Sequence, residues 1–227
     1  MEELHTIHEL LAESQRLREK GRLSEATSRA SEAVRLCHEA GPSIGEETTA
    51  ESKLELANVL FCDHMYREAE QNYLVAIRLI EQLYYPSHPE LMPALDHLAR
   101  LYIRMDRLDD ARKISYRLLD IMKSALLGSD CWYIETVRMT AVIELNTRNY
   151  KEAEALITKV LPIVDNATIG PAEEFYWLMA RIKEAQGQVE AAKRSYESAI
   201  NIFFMGRDDY RKRLCLKDYS NFLESIN

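Results

Sequence analysis

The sequence predicts an all-α solenoid of about five helix hairpins closed by a C-terminal capping helix, and three observations carry that prediction. Seven glycines and six prolines in 227 residues are too few for the turns of most all-β folds. Apolar residues recur at helical spacing, as in Leu54, Leu56, Ala57 and Leu60, and again in Leu95, Leu98, Ala99 and Tyr102. A short pattern of one large apolar residue, two mostly polar residues and an alanine returns five times: Leu23-Ser-Glu-Ala26, Tyr66-Arg-Glu-Ala69, Leu108-Asp-Asp-Ala111, Tyr150-Lys-Glu-Ala153 and Val189-Glu-Ala-Ala192. The alanines at 26, 69, 111, 153 and 192 are separated by 43, 42, 42 and 39 residues, a period that signals a repeat architecture.

Around each alanine the spacing has a physical reason. A small residue stands twelve places earlier, at Ser14, Ala57, Ala99, Ala141 and Ala180, and Ala33, Ala76, Leu118, Val160 or Ala199 stands seven places later. Antiparallel helices approach closely only where facing side chains are small, and the large residue at the start of the second helix plugs the turn. A single hairpin leaves an apolar side uncovered, so hairpins must stack.

Taken in order, the first repeat is expected at about 3–40 with helices at 3–19 and 24–40, and the second at 47–83 with helices at 47–63 and 67–83. The third spans 90–125 (helices 90–105 and 109–125), the fourth 131–165 (131–147 and 151–165) and the fifth 172–204 (172–186 and 190–204). A last amphipathic helix at about 208–226, with Leu214, Leu216, Tyr219, Phe222 and Leu223 as its apolar members, covers the end of the stack. The whole of 1–227 reads as one repeat domain. Gly21, Gly41-Pro42, Pro86 with Pro89, Gly128, Gly170-Pro171, Gly187 and Gly206 mark helix ends. Pro162 lacks the N–H that would reach the Thr158 carbonyl, so the eighth helix is expected to bend or stop there.

Leu56-Ala57, Leu60, Tyr66, Ala69, Tyr73 and Ala76 in the second repeat, with Leu98-Ala99, Tyr102, Leu108, Ala111 and Leu118 in the third, resemble the tetratricopeptide repeat family. The common repeat is about 34 residues. The longer period here, the loop Tyr85-Pro-Ser-His-Pro-Glu90 and its echo Leu127-Gly-Ser-Asp130 are similar to the repeats of kinesin light chains. The fourth repeat departs most, with Glu144 where a large apolar residue is usual. The resemblance implies a right-handed α-solenoid whose first helices line a concave groove. It implies a non-enzymatic protein–protein interaction module or adaptor scaffold.

On that geometry, the stripe one residue around from each packing alanine faces the groove. It holds His8, Ala12, Gln15 and Glu19, then Glu51, Glu55, Asn58 and Cys62, then Pro93, His97, Arg100 and Arg104. The fourth and fifth repeats add Glu135, Met139, Val142 and Asn146 with Arg138 alongside, and Glu174, Leu178, Arg181 and Ala185 with Trp177 alongside. Asn58, His97, Arg100, Arg104, Arg138, Asn146, Trp177 and Arg181 are the candidate peptide-binding residues. Arginine forks fit carboxylates, and an asparagine can satisfy both an amide and a carbonyl of an extended chain. The expected partner is an extended or short helical, acidic segment of another protein. Two competing fates stand beside this: internal salt bridges of the arginines to Glu55, Asp96, Glu135 or Glu174, and packing of Trp177 on the capping helix. A different reading is a structural protein that self-assembles end to end through its terminal helices, making a homo-oligomer the alternative partner.

Other chemistries find little support. The net charge of −8 argues against nucleic acid as a partner. The longest apolar run, Phe175 to Ala180, is six residues, far from the roughly 20 that span a bilayer, and the acidic N-terminus does not resemble a secretory signal. A cytoplasmic location with reduced, mostly buried thiols is therefore expected. Cys37, Cys62, Cys131 and Cys215 follow no zinc spacing. No glycine-rich phosphate loop or nucleophile elbow occurs. No cofactor, metal or catalytic residue is expected.

Overall fold

The computed structural model describes residues 2–125, 131–166, 172–205 and 209–226. All regular structure among these residues is helical, and each of the eleven helices expected from periodicity is present. The chain groups into two compact units, Met1–Leu126 and Leu127–Asn227. The first unit holds α1 (Glu2–Glu19), α2 (Leu23–Ala40), α3 (Glu46–Cys62), α4 (Tyr66–Leu83), α5 (Met92–Arg104) and α6 (Leu108–Ser124), with short 3-10 turns at Gly41–Ser43 and Pro89–Leu91. The second holds α7 (Cys131–Asn146), α8 (Tyr150–Asn166), α9 (Ala172–Ala185), α10 (Val189–Met205) and α11 (Asp209–Ser225).

Within each unit consecutive helices pack as antiparallel hairpins that stack in order. The first helices of successive repeats also touch, α1 on α3 and α3 on α5 in the first unit and α7 on α9 in the second. The small residues make this possible. Ala26, Ala57, Ala69, Ala99, Ala111, Ala141, Ala153, Ala180 and Ala192 are all fully buried, and any larger side chain there would push two helices apart.

Each hairpin turn has the same backbone. In the first, Gly21 has φ +72° and the Arg22 amide donates to the Leu17 carbonyl at 2.9 Å, which satisfies a carbonyl orphaned at the helix end. The bond recurs as Met65 to Leu60, Arg107 to Tyr102, Asn149 to Glu144 and Gln188 to Lys183. The left-handed position is Gly187 in the last turn but His64 (φ +62°), Asp106 (+58°) and Arg148 (+63°) in the middle three. Gly21, Gly41 and Gly187 do stand at helix ends; Gly128, Gly170, Pro171 and Gly206 lie outside the described residues.

Pro162 does not stop its helix: α8 continues to Asn166 with the proline inside it. Pro162 and Thr158 are both exposed, so the Thr158 carbonyl that loses its donor lies where water can reach it. Glu144, buried in the fourth repeat, is held where Leu17, Leu60 and Tyr102 stand in the first three repeats because its Oε2 accepts from Asn149 Nδ2 at 2.7 Å. The cysteines are all free thiols, but only Cys37 and Cys215 are buried; Cys62 and Cys131 are exposed, because they fall at helix ends rather than on packed faces.

Charged ties link successive hairpins. Arg18 grips Glu55 at 3.2 Å, Arg107 grips Glu70 at 2.7 Å, and Lys183 grips Glu154 at 2.5 Å. Against the fifth hairpin, α11 buries Cys215 and Phe222 beside Tyr196, Phe203 and Ala199, which is the capping role read from its apolar residues.

Candidate functional site

The eight candidate residues divide evenly between the units. In the first, α3 and α5 bring Asn58 and His97 together through Tyr73 of α4. The Tyr73 hydroxyl donates to Asn58 Oδ1 at 2.9 Å, and its ring stacks on the His97 imidazole with centroids 6.0 Å apart. Burial holds the Tyr73 hydroxyl far above its ordinary pKa, so it stays a donor. His97 Nδ1 lies 2.8 Å from the Pro93 carbonyl oxygen. A carbonyl only accepts, so Nδ1 carries the hydrogen and Nε2 is the atom left for solvent or a ligand. Asn58 is therefore partly committed to the core.

Arg100 donates through Nε to Asp96 Oδ2 at 2.9 Å and remains 43% exposed. Arg104, one turn on, is exposed, and no ion pair is formed by it among the described residues. Cys62 is exposed at the end of the neighbouring helix. This face also carries Glu55, which is engaged by Arg18, and Glu51, whose carboxyl burial pushes up in pKa.

The second unit treats its two candidate arginines oppositely. Arg138 of α7 is held by Glu135 Oε2 at 2.7 Å and by Glu174 Oε2 at 3.4 Å. Glu174 is itself buried and also meets Arg211 of α11. Arg181 of α9 is exposed and makes no ion pair among the described residues. Trp177 packs on the capping helix: its Nε1 donates to Asp218 Oδ2 of α11 at 3.0 Å, and its ring meets Phe203 edge-on. Met139, Glu174 and Leu178, which share the expected stripe, are buried where α7 packs on α9.

Two adjoining cavities share Arg181. A small one of about 90 Å³ is lined by Arg138, Val142, Glu174, Trp177, Leu178 and Arg181. A larger one of about 500 Å³ brings Arg181 together with Asn146, Arg148, Glu184, Asp218 and Asn221, with Tyr150 and Tyr196 in its wall. Its size is that of a site for a few side chains. Arg148, Glu184, Asp218 and Asn221 were not among the sequence candidates. Arg148 had a legible signal, since it occupies the turn position that is glycine in the first and last repeats. Asp218 and Asn221 had none, because α11 lies outside the repeat.

Among the described residues no group of three or more His, Cys, Asp or Glu side chains is arranged to hold a metal ion. No described helix is long and apolar enough to cross a membrane.

Stacked hairpins sealed by alanine contacts, with a polar face of first helices and a terminal helix over the last apolar side, define a helical-repeat solenoid. Residues 48–124 match the family model described as Tetratricopeptide repeat. Over those residues the chain matches that family, and its stacked hairpins have the fold of tetratricopeptide repeat solenoids. Among solved structures it is similar to the putative kinesin light chain nearly identical TPR-like repeats of Podosopora anserina, at 18% identity over 92% of this chain and 100% of that one, with a TM-score of 0.79. BtubC (BKLC) from P. vanneervenii follows at 12% identity, 90% and 91% coverage and a TM-score of 0.74. YrrB, described as a TPR protein with an unusual peptide-binding site, superposes at 16% identity, 92% and 90% coverage and a TM-score of 0.64. No curated protein sequence matches the chain.

Proposed function

We propose that this chain is a non-enzymatic, cytoplasmic interaction scaffold that holds an extended or short helical segment of a partner protein, and that the segment carries acidic residues. The observation that carries this is the open cavity of about 500 Å³ in the second unit, where Arg181 and Arg148 stand beside Asn146 and Asn221 with no carboxylate partner among the described residues. A carboxylate entering there meets guanidinium forks, and the asparagines offer the paired donor and acceptor that an extended backbone needs. Arg100, Arg104 and His97 on the first unit's own face provide another place for the same chemistry. That YrrB carries a peptide-binding site on the same fold favours this reading.

The test is an unbiased peptide array probed with the wild type and with Arg181→Glu, followed by titration of the best peptides. Arg181 is the informative position. Reversing Arg138 would set a third carboxylate against Glu135 and Glu174 and would disturb folding as much as binding. Capture of acidic peptides should fall by about ten-fold or more while the circular dichroism is unchanged. Undiminished capture by the variant would remove the site.

A further inference from the structure

The larger cavity of the second unit holds charges of both signs that form no ion pair with one another. Among the described residues Arg148 and Arg181 form no ion pair, and no cation meets Glu184 or Asp218 within 4 Å. Each carboxylate has only a neutral donor: Glu184 Oε2 accepts from the Tyr196 hydroxyl at 2.8 Å, and Asp218 Oδ2 accepts from Trp177 Nε1 at 3.0 Å. These neutral bonds hold the two carboxylates in place and leave both without a salt bridge. Elsewhere in the same unit Glu135, Glu154 and Glu174 are each gripped by an arginine or a lysine, while Asp165 and Glu197, outside the cavity, likewise accept from a tyrosine hydroxyl.

We propose that this cavity is a site for a charge-mixed peptide segment, in which a lysine or arginine side chain is received by Glu184 and Asp218 while a neighbouring acidic side chain is received by Arg181 and Arg148. The proposal rests on the reading of the cavity as a peptide site and deepens it. The chemistry excludes the simpler ligands. A purely acidic segment brings its second carboxylate toward Asp218 and Glu184, and a purely basic one meets two guanidiniums; like charges brought together in one cavity repel and disfavour the wrong partner. Leu145 and Ala185, with the rings of Tyr150 and Tyr196, supply the apolar wall against which the stem of a lysine or arginine can lie. The capping helix thereby has a further role. Asp218 and Asn221 come from α11, so the element that seals the last hairpin also supplies half of the site's selectivity.

The experiment uses the full chain and three sets of fluorescein-labelled octapeptides on one alanine-glycine-leucine background, carrying two aspartates, two lysines, or one aspartate and one lysine at varied separations. Anisotropy titrations are run at low and high salt on the wild type and on the Glu184→Gln/Asp218→Asn double variant. Both replacements keep an oxygen that accepts from Tyr196 or Trp177, so folding is preserved. The best mixed-charge peptides should bind the wild type about ten-fold tighter than either single-sign set, and the double variant should invert that order in favour of the two-aspartate set. If the two-aspartate set binds the wild type tightest, the charge-mixed site is wrong and the acidic-segment reading stands. If no set binds at either salt concentration, both readings fall. If the double variant keeps the wild-type order, Glu184 and Asp218 do not select the ligand and the inference is overturned.

Discussion

Ser14 Oγ stands 3.2 Å from the carbonyl oxygen of Ala26, twelve residues on and across the first hairpin. It also lies 3.0 Å from Glu55 Oε1 in the next repeat, so its one hydrogen serves one acceptor at a time. The contact is the repeat's packing rule made visible. Two small residues meet face to face, and in this repeat alone the first of them is a hydroxyl rather than a methyl group. Ala26→Leu should force the two helices apart and lower stability by about 1–3 kcal/mol, read as a lower urea midpoint at an unchanged slope. Ser14→Ala keeps the volume and loses only the hydrogen bond, a change of about 1 kcal/mol. Equal midpoints for wild type and Ala26→Leu would show that this contact has slack.

The left-handed turn position makes a prediction of opposite sign. Asp106 is exposed and pays for φ +58° with a crowded Cβ, whereas Gly187 occupies the equivalent place without one. Asp106→Gly should therefore stabilise or leave stability unchanged within about 0.5–1 kcal/mol, the relief of strain being offset by the freer unfolded chain. Gly187→Ala should destabilise by about 1 kcal/mol. No atom lies within 4 Å of the added Cβ, so the loss is backbone strain alone. Thermal melts of the two variants check the pair, and a destabilising Asp106→Gly of more than about 1 kcal/mol would falsify the strain argument.

Pro162 sits inside α8 and is exposed. Pro162→Ala restores a donor for the Thr158 carbonyl and removes a ring from the helix interior, a gain of up to about 3 kcal/mol. The expected readout is a higher melting temperature with slightly greater helicity at 222 nm. A lower melting temperature would mean that the proline shapes the end of α8 in a way other contacts depend on.

The thiols divide by burial, and pH should expose the division. Cys62 and Cys131 are exposed, while Cys37 and Cys215 are buried. Burial pushes the Cys215 thiol from its ordinary 9.0 up to about 12, and burial with the Glu70 hydrogen bond raises the Tyr102 hydroxyl from 10.0 to about 12. Between the ordinary and the raised value the unfolded chain has lost its proton and the folded chain has kept it, so rising pH favours unfolding. Stability from these groups is intact below about pH 9 and is lost progressively toward pH 12. At pH 8 a disulfide reagent should modify two thiols quickly and the other two only in denaturant. Four equally fast thiols would contradict the packing of α2 and α11.

How much was legible follows from the physics of each feature. The helices and their pairing were written in the sequence because small residues at a fixed period and apolar stripes at helical spacing are local patterns that every repeat obeys. The fate of Pro162 was not, because whether a proline ends a helix depends on what surrounds the carbonyl it abandons. The turns at His64, Asp106 and Arg148 are marked more weakly: glycine does not occupy them, and the sign of the left-handed position is its constant distance of five residues before each packing alanine.

Chain order alone decided that there would be hairpins, that alanines would seal them, and that arginines and asparagines would stand on the first helices. Three-dimensional packing alone decided which of those charges remain open. Arg138 and Arg181 were both candidates along the chain, yet Glu135 and Glu174 surround Arg138 while Arg181 opens onto a cavity shared with Asp218 from α11. A charge is neutralised by whatever rotamers and neighbouring helices bring within reach, and those partners come from separate stretches of sequence that no repeat period connects.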